Sequence, residues 1–74
     1  MKNIYIKGSY IKLGQFIKFI NLVSNGSDVK EFLLNNNIFV NGILEQKRGR
    51  KLFINDKVKI LDSLYIILGN QGSN

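Results

Sequence analysis

LGQFIKFINLVSNGSDVKEFLLNNNIFVNGIL, residues 13–44, passes from a helical to a strand period within one short stretch, and reading it decides the architecture. Leu13, Phe16, Ile17, Ile20 and Val23 fall at i, i+3, i+4, i+7 and i+10, the spacing of a helix with one apolar face. The opposite row carries Lys12, Gln15, Lys18 and Asn21 at every third position. Ser24-Asn25-Gly26 predicts the end of this helix, with Gly26 in the left-handed C′ position. Ser27 or Asp28 is expected to cap a second helix, Asp28 forming a capping box with Glu31. Val29, Phe32 and Leu33 mark its buried face, and Asn35-Asn36-Asn37 ends it. Then Ile38-Phe39-Val40 and Ile43-Leu44 flank Asn41-Gly42, the dipeptide best suited to a type I′ hairpin turn.

Outward from this stretch the pattern is that of strands. Ile4 and Ile6 alternate with Tyr5 and Lys7, a half-buried strand over residues 3–7 ended by Gly8-Ser9. Downstream, Leu52-Phe53-Ile54 leads into a turn at Asn55-Asp56, and Val58 and Ile60 alternate with Lys57 and Lys59. A last apolar strand, Leu64 to Leu68, follows Asp62-Ser63. One strand, two short helices at an angle and an antiparallel meander make an α+β domain over residues 1–68, with residues 69–74 expected as a flexible polar tail.

Composition narrows function. With 74 residues the chain supports one domain, near the lower size at which an apolar core holds unaided. There is no cysteine and no histidine, which removes thiolate metal sites, disulfides, the commonest metal ligand and the usual proton shuttle. The five carboxylates, Asp28, Glu31, Glu45, Asp56 and Asp62, are each accounted for by caps, turns or exposed strand positions, so neither an enzyme, a cofactor nor a metal site is expected. Eleven basic residues against five acidic ones give a net charge of +6, a field that attracts polyanions. Lysines interrupt the N-terminal apolar run, and no stretch has the length to span a bilayer, so no membrane association and a cytoplasmic location are expected.

Four of those basic residues lie together in Lys47-Arg48-Gly49-Arg50-Lys51. Guanidinium forks fit phosphate oxygens two at a time, so this loop is expected to clamp a nucleic-acid backbone through Lys47, Arg48, Arg50 and Lys51. Lys12, Lys18 and Lys30 extend the phosphate track, and Gln15 and Asn41 supply amides for sugars or bases. Asn41-Gly42 is chiefly turn chemistry, with any RNA contact secondary.

The order of parts over residues 11–60 resembles the S-four-like RNA-binding domain built around the alpha-L motif, in particular its short stand-alone bacterial members of the YaaA or YbcJ type. The resemblance rests on LGQFIK, the small-residue stop before the second helix, FVNG, the RGRKL loop and NDKV. It implies two helices meeting as an L, a hairpin beside them, and a groove for structured RNA, commonly ribosomal or transfer RNA. Lys12, Gln15 and Lys18 match the RNA-facing side of the first helix; Ser27 and Lys30 match the start of the second. Asn41 and Gly42 match the hairpin turn, and Arg48, Arg50 and Lys51 the basic loop. One departure is Asp28, where many members carry an arginine.

Phe16, Phe32 and Phe39 fall on buried faces, which leaves Tyr10 and Phe19 as the exposed aromatics, neither beside the basic loop. Recognition of RNA shape and backbone is therefore expected, not stacking of extruded bases. Two other readings remain: a subunit docking its basic loop on an acidic protein or ribosomal surface, and a DNA-reading helix-turn-helix.

Overall fold

The computed structural model describes residues 1–70. In chain order the elements are β1 (Lys2–Ile6), β2 (Tyr10–Lys12), α1 (Leu13–Phe19), α2 (Gly26–Asn35), β3 (Ile38–Val40), β4 (Ile43–Leu44), β5 (Lys51–Phe53), β6 (Lys57–Ile60) and β7 (Ser63–Gly69). They form an α+β domain with a five-stranded sheet in the order β1-β7-β6-β3-β4 and a separate two-stranded ribbon, β2-β5.

The sheet is mixed. The meander β3-β6-β7 is antiparallel, as the sequence predicts, whereas β1 runs parallel to β7 with Lys2 opposite Tyr65 and Ile6 opposite Gly69. A strand joined to a partner near the far end of the chain carries no local turn signal, so its direction was not legible from pattern alone. Gly69 belongs to β7 and the Asn70 amide donates to the Ile6 carbonyl at 2.9 Å, so this portion of the expected tail is tied to the sheet. Residues 71–74 of that tail lie outside the described residues.

Helix α1 ends earlier than its apolar spacing predicts. The Asn21 amide donates to the Lys18 carbonyl at 3.0 Å and the Leu22 amide to the Ile17 carbonyl at 3.1 Å, the paired bonds of a Schellman stop. Asn21 takes the left-handed C′ position at φ 64°, not Gly26. Ile20, Leu22 and Val23 continue to pack on the core from irregular backbone, which preserves the apolar spacing without the helix. Gly26 instead opens α2, and Asn25, not Ser27 or Asp28, is its N-cap. Asn36 closes α2, its side-chain amide donating to the Phe32 carbonyl at 3.0 Å. The Asn41-Gly42 hairpin forms with both residues at positive φ, 52° and 85°, as a type I′ turn requires.

Leu13, Phe16 and Ile17 of α1, Val29 and Leu33 of α2, and Ile38, Val40, Val58, Ile60 and Ile67 of the sheet share one apolar core, and no polar or charged residue is buried among the described residues. Phe16 meets Tyr65 edge to face at 5.4 Å, the preferred approach of two aromatic quadrupoles. Phe39 and Phe32 are only partly buried, in contrast to their predicted place in the core.

Candidate nucleic-acid interface

The basic loop is anchored on the first helix through backbone. The Leu13 amide donates to the Arg50 carbonyl at 2.8 Å and the Gly14 amide to the Arg48 carbonyl at 2.9 Å. Two amides at the start of α1 that lack intrahelical partners are thus satisfied by the loop, which fixes its position. Gly14 lies close beneath the loop: a β-carbon there would stand at close contact distance, 3.4 Å, from the Arg48 β-carbon, the Arg48 carbonyl oxygen and Val29 Cγ1.

A single acid shapes the loop from within. Glu45 accepts from Arg50 Nη1 at 2.7 Å and from the Lys47 amide at 3.1 Å. The Arg50 guanidinium beside it holds the Glu45 carboxyl below its usual range, against an opposing effect of burial. Arg50 Nε also donates to the Lys51 carbonyl at 3.3 Å. Arg50, expected as a phosphate clamp, is thereby engaged as an internal brace, and Glu45 is half-buried rather than an exposed strand residue.

Arg48 and Lys18 project differently. A β-carbon placed on Gly26 would lie 3.9 Å from Arg48 Nη2 and 4.0 Å from Lys18 Nζ, so cations from the loop and from α1 meet at the first turn of α2. Neither forms an ion pair among the described residues. Arg48 also lines, with Lys30, Leu33, Leu34 and Gln46, an open cleft beside α2. Lys18, Lys30 and Arg48 therefore bound one surface drawn from three chain segments, and exposed Ser27 follows Gly26 in the first turn of α2. Asp28 lies in the first turn of the same helix, accepting from the Asn25 side-chain amide at 3.4 Å. Its charge suits the helix N-terminus but opposes phosphate.

Lys12 and Lys51 sit directly opposite each other in the β2-β5 ribbon, adjoining this surface through α1 and the loop. Like charges in that relation destabilise a strand pair unless an anion lies between or over them. Gln15 is exposed, and its side-chain oxygen accepts from the Lys12 amide at 3.4 Å, so it helps to start α1 as well as facing solvent. Exposed Lys47 and Gly49 complete the loop.

Asn41 and Gly42 stand apart from this convergence. Asn41 accepts from the Lys57 amide at 2.9 Å and donates to Asp56 Oδ1 at 3.0 Å, pinning the hairpin to β6. With Gly42 it lines an open cleft against Phe39, Lys57, Lys59 and Leu64. Its contacts are those of a structural turn.

One aromatic feature escaped the reading of the sequence. Tyr10 is not remote from the basic stretch: Lys51 Nζ lies 4.8 Å from the centre of its ring, and Phe53 is its exposed neighbour at 5.9 Å. The signal that was missed is β2 itself, a strand of three residues running straight into a helix with no turn residue between them.

The family model described as the S4 domain matches residues 4–68. A probable ribosome maturation protein, RlbA, from Bacillus subtilis (strain 168) is 39% identical over 57 residues, covering 77% of this chain and 80% of that protein.

Proposed function

Because the chain belongs to the S4 domain family, we propose that it is a non-catalytic RNA-binding module, acting on structured ribosomal or transfer RNA in the cytoplasm. The observation that carries this reading is the meeting of Arg48 and Lys18 at the start of α2, with Lys30 beside them and no carboxylate paired to either among the described residues. Phosphates of the RNA sit on Arg48, Lys18 and Lys30, and the track continues over Lys12, Lys51 and Lys47. Arg50 holds the loop in shape through Glu45 and does not contact phosphate directly. The similarity to a ribosome maturation protein supports ribosomal RNA as the target and the assembling ribosome as the setting.

The test is fluorescence anisotropy with a folded RNA hairpin, the DNA hairpin of the same sequence and a single-stranded RNA, across a salt series, for wild type and Lys18→Ala/Arg48→Ala. Both side chains are exposed, so the variant keeps its core. Preference for folded RNA, with a salt slope smaller by about two in the variant, is the expected result, since each lost phosphate contact removes roughly one released counterion. Equal binding to all three ligands, or an unchanged slope, would overturn the reading and favour docking of the basic surface on an acidic protein partner.

A further inference from the structure

The front face of the β2-β5 ribbon is a square of two aromatic and two basic side chains. In the antiparallel register Tyr10 faces Phe53 and Lys12 faces Lys51, with Ile11 and Leu52 between them on the opposite side. That opposite side packs on the core: Leu52 is fully buried and Ile11 partly so. The front face is open, with Tyr10 40% and Phe53 49% exposed. The two rings are tilted by 53° at 5.9 Å and are not stacked face to face, so neither covers the face of the other. Lys51 holds its ammonium 4.8 Å from the Tyr10 ring centre, a cation against the negative face of a π-system.

We propose that this face is a stacking site for an unpaired nucleotide of the bound RNA, its base on Tyr10 and Phe53 and its phosphate on Lys12 and Lys51. The proposal rests on the RNA-binding reading above and adds to it a second mode of contact. Three features favour a nucleotide over other occupants. Stacking on an aromatic side chain tolerates any base, because every base has a π-face. Lys12 and Lys51 stand opposite each other in register, and a phosphate over such a pair offsets the repulsion of like charges. The ribbon is also continuous with the phosphate track, since Lys12 leads into α1 and Arg50 into Lys51. The carboxylate nearest to the ribbon in the bonding pattern, Asp56, has one oxygen on the Phe53 amide at 2.8 Å and the other on Asn41 at 3.0 Å. A cross-strand aromatic pair also supports a ribbon, but that role is indifferent to whether the RNA carries an unpaired end.

The experiment compares a blunt RNA hairpin with the same hairpin bearing a three-nucleotide 5′ or 3′ overhang that contains 2-aminopurine, using wild type and Tyr10→Leu/Phe53→Leu. Wild type is expected to bind one overhang form about tenfold more tightly than the blunt form, with quenching of the 2-aminopurine fluorescence. The variant is expected to bind both forms as wild type binds the blunt one. Should the leucine variant fail to fold by circular dichroism, Tyr10→Phe/Phe53→Tyr, which keeps both rings, is expected to retain the overhang preference. Equal wild-type affinity for blunt and overhang forms without quenching would overturn the stacking site while leaving RNA binding intact, as would an equal loss for both forms in a folded leucine variant. Absence of binding to any RNA at low salt would sink the RNA-binding reading and this site with it.

Discussion

Glu45 decides which cations of the basic loop are free. Its carboxylate takes the Arg50 guanidinium and the Lys47 amide, so the segment turns back on itself and presents Arg48 outward. Since Arg50 holds the folded-state pKa of Glu45 below its ordinary value, the interaction contributes stability above the unfolded-state pKa near 4.3, and that contribution is lost as pH falls through the folded value. Glu45→Gln is therefore expected to cost about 1 kcal/mol at pH 7 and to flatten the acid limb of the stability profile below about pH 4, as followed by urea titrations at stepped pH. An unchanged acid limb would mean that the pair is not formed in solution. The cluster of four basic residues was legible as one charged loop, but charge pattern does not distinguish a brace from a clamp. That distinction depends on where Glu45, five residues upstream of Arg50, places its oxygens.

At the scale of elements, the parts with local signals were readable and those with distant partners were not. The Asn41-Gly42 hairpin announces itself because only a few residue types accept two successive positive φ angles. The end of α1 misled because Ile20 and Val23 keep helical spacing after the helix has stopped. A subtler case is the β6-β7 turn. Ile60 pairs with Ser63, so Leu61 and Asp62 form a two-residue loop and Ser63 already belongs to β7, one residue ahead of the predicted strand start at Leu64. Leu61 occupies the loop at φ 56°, a left-handed conformation that costs an ordinary L-residue roughly 1–2 kcal/mol. Its side chain is 57% exposed, so little packing offsets that strain. Leu61→Asn is expected to stabilise the domain by about 0.5–1 kcal/mol, a rise of several degrees in Tm for a chain of this size, without altering RNA affinity. A lower melting temperature would show that Leu61 packs more tightly than its exposure indicates.

For the whole molecule, the parallel β1-β7 pair makes the two ends of the described chain interdependent. Ile4 lies opposite Ile67 in that pair, while the Ile67 carbonyl and amide bond Asn55 and Asp56 at 2.7 and 2.9 Å. Ile67 thus ties the first strand, the last strand and the turn after β5, with its side chain fully buried. A domain of 74 residues has a total stability of only about 4–11 kcal/mol. Ile67→Ala removes packing worth about 2–5 kcal/mol, because the cavity cannot close while strands on both sides hold its walls in place. The cation surface around Arg48 and Lys18 has no independent scaffold: the loop is anchored on α1, and α1 rests on the same core. Loss of that one buried side chain is therefore expected to lower the urea midpoint by a third or more and to bring RNA binding down in the same transition. Two separate transitions, with anisotropy persisting after the circular dichroism signal is lost, would show that the helices and the loop hold the interface without the sheet.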